Sequence, residues 1–336
     1  MKKILRHIVL TISISVLCSA YGQDVYFSQF YASPLTLNPA LTGFAPEDMQ
    51  LAMNYRNANN GLIPYSTYAA SLDMKLMRMK LKPDMFAVGI SSTMDDVDKG
   101  RIRNLMAVAS ATYHKAIGSN RTSFISLGLQ TGVFQRQTNP NSFSYPVQWT
   151  DKYGYDETLP NNESFVKDQT LKPDINAGLF WYGRLSESTS LFLGSSVYHI
   201  NQPIESFLAN KAKLQRRYVF HGGSRFRLDR STSMVPSVIV MYQNGAQQIC
   251  EGTTFEFQVG ETNSSFKLGG WYRHFDGSFI FLAGLRINSL QIGVSSDFLS
   301  RMQTLSKSNG ALEFSLIYTF QLKDYANLKA NPRNRY

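Results

Sequence analysis

The chain has 336 residues, of which 43% are hydrophobic and 17% charged, and its formal net charge at pH 7 is +10. With 22 Phe and 18 Tyr, the sequence carries too much buriable aromatic surface for an intrinsically disordered protein. Its two cysteines exclude a disulfide-rich scaffold and a cysteine-rich zinc site. No apolar run after residue 20 reaches the roughly 18 residues that a membrane-spanning helix needs.

The first 22 residues have the pattern of an export signal. A basic start at residues 2–6 precedes an apolar stretch at residues 8–20, and the sequence Ala-Tyr-Gly at residues 20–22 resembles a cleavage site. We therefore expect a signal peptide at residues 1–22, with cleavage before Gln23. The mature chain is predicted to function outside the cytoplasm.

Alternating apolar and polar residues predict β-strands through most of the remaining chain. Fourteen segments of about ten residues show this period of two, and turn residues separate them. They are residues 48–56, 65–76, 84–94, 103–116, 121–136, 172–185, 188–201, 216–229, 232–243, 252–261, 264–275, 277–287, 290–298 and 310–322. Residues 205–214 are the only stretch that could form a short helix.

The last predicted strand shows how the two faces differ. Leu312, Phe314 and Leu316 lie on one face, whereas Glu313 and Ser315 lie on the other. A transmembrane barrel turns its apolar face outward to lipid and a soluble sandwich buries it, and the period alone is compatible with both. Connection lengths favour the barrel, because short turns mostly alternate with longer loops, as in outer-membrane barrels. The sequence therefore predicts an all-β fold, a transmembrane antiparallel β-barrel of about 14 strands, with both termini at the periplasmic, short-turn end.

Two segments of the mature chain lie outside the predicted barrel, which spans residues 48–322. Residues 23–47 are rich in aromatic residues, Pro and Asn, and they would form either a plug in the lumen or a periplasmic flap. Residues 323–336 are polar and basic and are predicted to be a periplasmic tail. Fourteen strands enclose more space than inward side chains can fill, so the lumen is either open or plugged.

Two groups of motifs, one near each end of the mature chain, carry a family resemblance. Their residues are Phe27, Ser28, Gln29, Asn38, Pro39 and Gly43 in the first group, and Gly270, Trp271, Tyr272 and Arg273 in the second. With the segments 172–182 and 196–203, they resemble the PorP/SprF family, outer-membrane proteins of the Bacteroidota type IX secretion system. The resemblance extends over the whole mature chain.

The resemblance implies a function and a set of partners. It implies a non-enzymatic barrel in a Gram-negative outer membrane that assists the secretion or surface anchoring of proteins with a type-B C-terminal domain, gliding adhesins among them. It also implies periplasmic partners, namely the ring lipoprotein and motor-linked components of the secretion machinery. The barrel pattern alone supports a general porin or a substrate-specific channel equally well.

The longest predicted loop, residues 137–171, is a candidate contact site for an external partner. Loops of more than about 15 residues are usually functional or disordered, and five aromatic residues argue against disorder here. If the barrel holds such a partner, we expect Trp149, Tyr153 and Tyr155 to contact it. The alternative is a loop that folds inward as a constriction.

Chemical motifs are weak, and no catalytic, cofactor-binding or metal-binding residues are predicted. The acidic run at residues 95–98 lacks the full spacing of a calcium loop. His221 and Ser224 would point to opposite faces of a strand, so they cannot act as a base and a nucleophile. His114, His199 and His274 lie near strand ends and are predicted to be interfacial side chains. The dispersed positive charge gives no indication of nucleic-acid binding.

Overall fold

The computed structural model describes residues 24, 26–59, 63–76, 81, 83–118, 122–150, 154–160, 169–207, 212–260, 262–299 and 310–322. The predicted signal peptide at residues 1–22 and the predicted tail at residues 323–336 lie outside these ranges. Within the described ranges, no helix has the length and apolar character needed to cross a membrane.

Among the described residues, fourteen antiparallel strands close into a barrel, which confirms the predicted fold class. The barrel strands are β1 (Met49–Asn59), β2 (Pro64–Leu76), β3 (Met85–Val97), β4 (Ile102–Ile117), β5 (Ser123–Thr138), β8 (Gln169–Arg184), β9 (Thr189–Tyr198), β10 (Arg217–Arg227), β11 (Thr232–Gln243), β12 (Ala246–Gln258), β13 (Ser264–Arg273), β14 (Ser278–Ile287), β15 (Leu290–Leu299) and β16 (Ala311–Phe320). The remaining strands, β6 (Trp149–Thr150) and β7 (Gly154–Tyr155), form a small separate ribbon. Pairing of β1 with β16 closes the barrel.

Each barrel strand corresponds to one predicted segment, and the largest difference is at β12. This strand begins at Ala246 rather than at residue 252. Asn244 and Gly245 both have positive φ, 49° and 81°, and form the two-residue turn for which an Asn-Gly pair is the strongest signal. The predicted helix at residues 205–214 is wrong in its described part, because Ile204 forms an antiparallel bridge with Lys213.

The two faces of the wall have opposite polarity. Outward side chains such as Ile90, Leu127 and Phe281 are 59–60% exposed. Inward polar side chains such as Asn176 and Glu313 are fully buried. This distribution suits a lipid-facing exterior and is the inverse of a soluble sandwich.

The two ends of the barrel differ in their connections. β1 begins and β16 ends at the end that carries tight turns, such as residues 288–289 between β14 and β15, which we call the short-turn end. The opposite end carries the long connections at residues 139–168 and 199–216, and we call it the long-loop end. The β6–β7 ribbon belongs to the first of these long connections.

The hydrophobic core of the molecule lies inside the barrel. The chain before β1 forms three short helical turns, Phe30–Ala32, Pro34–Leu37 and Pro39–Leu41. Proline suits the first position of a helix, because its missing N–H has no partner to lose there. Side chains of these turns and of the wall form one buried cluster, which comprises Phe30, Leu37, Tyr198, Val219, Ile239, Cys250, Trp271 and Ile280.

Candidate functional site

Residues 24 and 26–48, here called the lumen segment, run through the barrel from one end to the other. Asp24 contacts His199, which follows β9 at the long-loop end. Near the short-turn end, the carbonyl oxygen of Pro46 accepts a hydrogen bond of 2.9 Å from the Lys75 ammonium group. The carboxylate of Asp48, directly before β1, accepts a hydrogen bond from the backbone N–H of Leu322.

A buried cluster of two arginines and two carboxylates on the wall holds the first part of the lumen segment. This arginine–carboxylate cluster consists of Arg56 on β1, Arg273 on β13, Asp297 on β15 and Glu313 on β16, all with side chains at most 4% exposed. Asp297 lies 2.7 Å from a guanidinium nitrogen of Arg56 and 2.9 Å from one of Arg273. Glu313 lies 3.2 Å from Arg56. Arg273 also lies 2.8 Å from Asp276 in the turn after β13. Buried charges are tolerated when they are paired, and each charge of the cluster has an opposite charge within 3.2 Å.

The lumen segment completes the hydrogen bonding of this cluster. Glu313 accepts the backbone N–H groups of Ser28 and Gln29, each at 2.8 Å. The hydroxyl of Ser28 donates to Asp297 at 2.8 Å. The ring of Tyr26 lies 4.9 Å and 5.1 Å from the guanidinium carbons of Arg56 and Arg273, within the range of cation–π attraction.

Both polar atoms of the fully buried Gln29 amide form hydrogen bonds with the wall. Its Nε2 donates to the Ser295 hydroxyl at 3.2 Å and to the Glu313 carbonyl at 3.1 Å. Its Oε1 accepts the hydroxyl of Ser315 at 2.6 Å. A buried amide is stabilising only with such partners, so this position favours glutamine over an apolar residue of the same size.

Asn38 has the same role halfway through the barrel. Its Oδ1 accepts the N–H of Ala40 at 2.9 Å and so caps the last helical turn. Its Nδ2 donates to the carbonyl oxygens of Leu179 and Ser195 on β8 and β9, and lies 3.1 Å from Nε2 of His221. A single side chain thus ties the segment to three neighbouring strands.

Wall side chains also donate hydrogen bonds to backbone carbonyl groups in and directly after the short helical turns. Buried carbonyl oxygens need such partners, because a buried backbone polar group without a hydrogen bond is destabilising. The bonds run from Gln130 to Leu35, from Ser196 to Leu37, from Thr112 to Pro39 and from His114 to Thr42, at 2.8–2.9 Å. Their donors come from β4, β5 and β9, so the segment is fixed around much of the wall.

Two glycines that pair across β5 and β8 provide the space for Asn38 and Pro39. Gly128 faces Gly178 in the ladder. A methyl group on Gly128 would overlap with the backbone of Pro39 and Ala40, and one on Gly178 would overlap with the Asn38 amide. The backbone of the wall can approach the lumen segment only because these positions lack a Cβ.

We expect Gly178→Ala to displace the lumen segment without opening the barrel wall. The added methyl group competes with Asn38 for one position, and such overpacking costs about 1–3 kcal/mol. Cleavage by chymotrypsin within residues 26–44, followed by mass spectrometry, should be faster in the variant. Gly270→Ala is the matched control, because a Cβ there meets nothing within 4 Å. Equal cleavage of the two variants would contradict the close approach.

A buried histidine between two carboxylates anchors the start of the lumen segment. His199 lies 2.6 Å from Asp24 through Nε2 and 2.8 Å from Asp174 through Nδ1, and its side chain is 3% exposed. Burial alone would lower the pKa of His199, but the two carboxylates outweigh it and raise the pKa to about 9. Burial would raise the pKa of Asp24, but His199 and Arg217 hold it below its usual range. Both groups therefore carry charge at neutral pH.

The structure places the predicted partner-contact residues apart from this site. Trp149 and Tyr155 form the β6–β7 ribbon in the long-loop connection, with their ring centres 5.7 Å apart. Their side chains are 62% and 40% exposed, whereas Tyr153 lies outside the described residues. Part of the predicted loop is strand, because β5 extends to Thr138 and β8 begins at Gln169.

Some of the family-motif residues from the two ends of the chain meet in the lumen. Arg273 and Ser28 both contact Asp297. The ring of Phe30, directly after the motif residue Gln29, packs edge-on against that of Trp271 at 5.2 Å. Gly270 and Tyr272 lie on the outward face of β13, because side chains alternate along a strand and Trp271 between them is buried in the lumen.

Several anchoring residues were missed by the sequence prediction. His114 and His199 are fully or almost fully buried in the lumen rather than interfacial, because the lumen segment supplies them with partners there. Asp297 and Glu313 were not singled out as functional residues, although a charge on the face opposite an apolar stripe indicates a lumen position. Among the described residues, no group of three or more His, Cys, Asp or Glu could hold a metal ion.

Comparison with solved structures defines the class of fold. The chain resembles the TodX monoaromatic hydrocarbon channel (deltaS2 mutant) with a TM-score of 0.52 at 10% identity, covering 86% of this chain and 94% of that one. It resembles the CymD monoaromatic hydrocarbon channel with a TM-score of 0.50 at 11% identity, covering 87% and 93%. The chain therefore has the fold of an outer-membrane β-barrel.

Sequence comparison gives the family. Residues 19–318 match the family described as type IX secretion system membrane protein PorP/SprF, so the chain belongs to that family. This match confirms the resemblance drawn from the motifs. A search of curated protein sequences found no match.

Proposed function

We propose that this protein is a non-enzymatic outer-membrane barrel of the type IX secretion system with a lumen closed by its own N-terminal segment. In this proposal it assists the secretion or surface anchoring of proteins with a type-B C-terminal domain, such as gliding adhesins, and docks periplasmic machinery. The match to the family over residues 19–318 carries the proposal. The many bonds between the lumen segment and the wall support a scaffold rather than an open pore.

A channel is the second candidate, because the solved barrels of similar fold bear the name of monoaromatic hydrocarbon channels. In this chain, transport would require the lumen segment to move. A cavity of about 210 Å³ lies beside Asp24 at the long-loop end, and its lining includes the polar side chains of Asp95, Arg136 and Arg217. Single-channel recording separates the candidates, since steady large current steps support a channel and silence supports a closed scaffold.

A pull-down from the native outer membrane tests the proposed function. The tagged protein, solubilised in mild detergent, should retain a surface protein with a type-B C-terminal domain and components of the secretion ring. We expect the triple variant Trp149→Ala, Tyr153→Ala and Tyr155→Ala to lose most of the surface protein, because tryptophan and tyrosine are typical anchors of an interface and Trp149 and Tyr155 are exposed. Mass spectrometry of both samples is the measurement.

Phe275→Ala is the matched control for this experiment. Phe275 is 63% exposed in the turn between β13 and β14, also at the long-loop end, but lies outside the β6–β7 connection. Unchanged retention in the triple variant would remove the loop from the proposal. A barrel without partners in repeated preparations would favour the channel.

A further inference from the structure

Three arginines line the inner face of the wall at the short-turn end. On β10, Arg225 and Arg227 share the face of His221, which is buried in the lumen. Arg184 at the end of β8 shares the face of buried Phe180. We call these three residues the arginine vestibule, and they are exposed despite their inward direction because the lumen opens there.

The arginine vestibule borders a small polar cavity. This cavity has a volume of about 250 Å³, and the hydroxyl groups of Ser186, Ser188 and Ser190 line it together with the arginines. Among the described residues, Glu187 is the one carboxylate in its lining. The cavity therefore presents hydrogen-bond donors and an excess of positive charge.

Two of these arginines lack an internal counter-charge. Arg225 pairs with Glu256 on β12 at 2.7 Å. Within the part of the chain that the structure describes, Arg184 and Arg227 have no carboxylate within ion-pair distance, and Nε of Arg184 donates only to the Ser186 carbonyl. At the long-loop end, by contrast, Arg56 and Arg273 are fully paired. Unpaired guanidinium groups in a concave site favour an anionic ligand.

The spacing of the arginines indicates the shape of that ligand. Arg184 is in register with Ser190 on the intervening strand β9, and the backbone N–H of Arg227 on β10 donates to the carbonyl of Ser188 directly before β9. The backbones of these two arginines are therefore at least two strand spacings apart, about 10 Å. This arrangement matches several carboxylates along an extended chain better than a single phosphate group.

We propose that the arginine vestibule binds an extended, acidic peptide segment of a periplasmic partner. The proposal rests on the proposed function, since it identifies the kind of contact through which the barrel docks periplasmic machinery. Outer-membrane barrels keep their short turns on the periplasmic side, which gives such a segment access to the vestibule. Carboxylates of the peptide pair with Arg184 and Arg227, and the serine hydroxyls donate to its remaining oxygens.

Fluorescence anisotropy with the purified full-length protein in detergent tests the proposal. The probe is a fluorescein-labelled hexaglutamate peptide, and hexaglutamine is the uncharged reference. We expect the double variant Arg184→Gln and Arg227→Gln to bind hexaglutamate about tenfold more weakly than the wild type. Binding to the wild type should also weaken as salt is raised from 50 to about 300 mM, because salt screens exposed charges.

Arg101→Gln with Arg103→Gln is the matched control, since it removes two exposed positive charges at the long-loop end. This control should bind hexaglutamate like the wild type. Equal affinities of all three proteins, or equal binding of hexaglutamine, would overturn the proposal. Displacement of the probe by equimolar inorganic phosphate would also overturn it and assign the vestibule to a single phosphate group.

The binding assay tests the arginine vestibule and the pull-down tests the proposed function, so a negative result in one does not decide the other. If the vestibule does not bind hexaglutamate, the recovery of partners from the native membrane would still support the secretion scaffold. A pull-down without partners would leave a measured peptide site on a barrel of another function.

Discussion

Asp297→Ala is expected to release the lumen segment and to turn a silent barrel into a conducting one. The substitution leaves Arg56 and Arg273 buried with one fewer counter-charge and removes the carboxylate that accepts the Ser28 hydroxyl. Loss of one partner from a buried ion pair costs about 3–5 kcal/mol. The backbone ladders of the wall do not depend on this side chain, so the barrel should persist. Single-channel recording in planar bilayers is the measurement, with chymotrypsin cleavage of residues 26–44 as a second readout.

Two further variants make this prediction sharp. Glu251→Ala removes a contact of 2.9 Å with Nε2 of His274 in which both side chains are about half exposed, and even an ion pair at such a surface contributes at most about 1 kcal/mol. It should remain silent and resistant to cleavage. Asp297→Asn keeps the size and part of the hydrogen bonding, so its effect should be intermediate. An Asp297→Ala barrel that is folded, silent and protected would show that the cluster does not hold the lumen segment.

The fold could be predicted because it depends on local patterns. A period of two is visible in any single hairpin, such as Leu290 to Phe320, and the alternation of short turns with longer loops is visible along the chain and indicates that the apolar face is outside. The difference at β12 also has a local cause, since the Asn244-Gly245 pair forms a tight hairpin turn and β12 begins directly after it. Strand number and closure then follow from the hydrogen bonding that a membrane barrel must complete.

The site could not be predicted in the same way, because its contacts are distant in sequence. Arg56 and Glu313 are separated by 257 positions, and Gln29 and Ser315 by 286. Sequence patterns indicated which residues face the lumen, but not which of them meet after closure. The family motifs at both ends of the chain gave the better signal, since Ser28 and Arg273 belong to motifs that converge on Asp297. The sequence was compatible with either a plug or a periplasmic flap at residues 23–47. Only the contacts between these residues and the wall distinguish the two.

The anchor at His199 should make the start of the lumen segment sensitive to alkaline pH. In the folded protein, burial alone would lower the pKa of His199, but Asp24 and Asp174 raise it from 6.5 to about 9. The contribution of the protonated His199 to the stability of the folded state is therefore fully present below pH 6.5. It falls by about 1.4 kcal/mol per pH unit above pH 6.5 and is lost above pH 9, which amounts to roughly 3 kcal/mol in total. Asp24 has a lowered pKa, so its contribution is present above its ordinary value of 3.8 and decreases in acid.

Hydrogen–deuterium exchange of residues 26–33 between pH 6 and 10, corrected for the intrinsic exchange rates, measures this effect. In the wild type we expect protection to fall as the pH rises from 6.5 to 9, because neutral His199 no longer pairs with both carboxylates. His199→Gln cannot titrate, so its protection should be lower at pH 6 and nearly constant to pH 10. His274→Gln changes an exposed histidine on the outer surface and should follow the wild type. Constant protection of the wild type over this range would mean that the cluster around Arg56, rather than His199, fixes the whole segment.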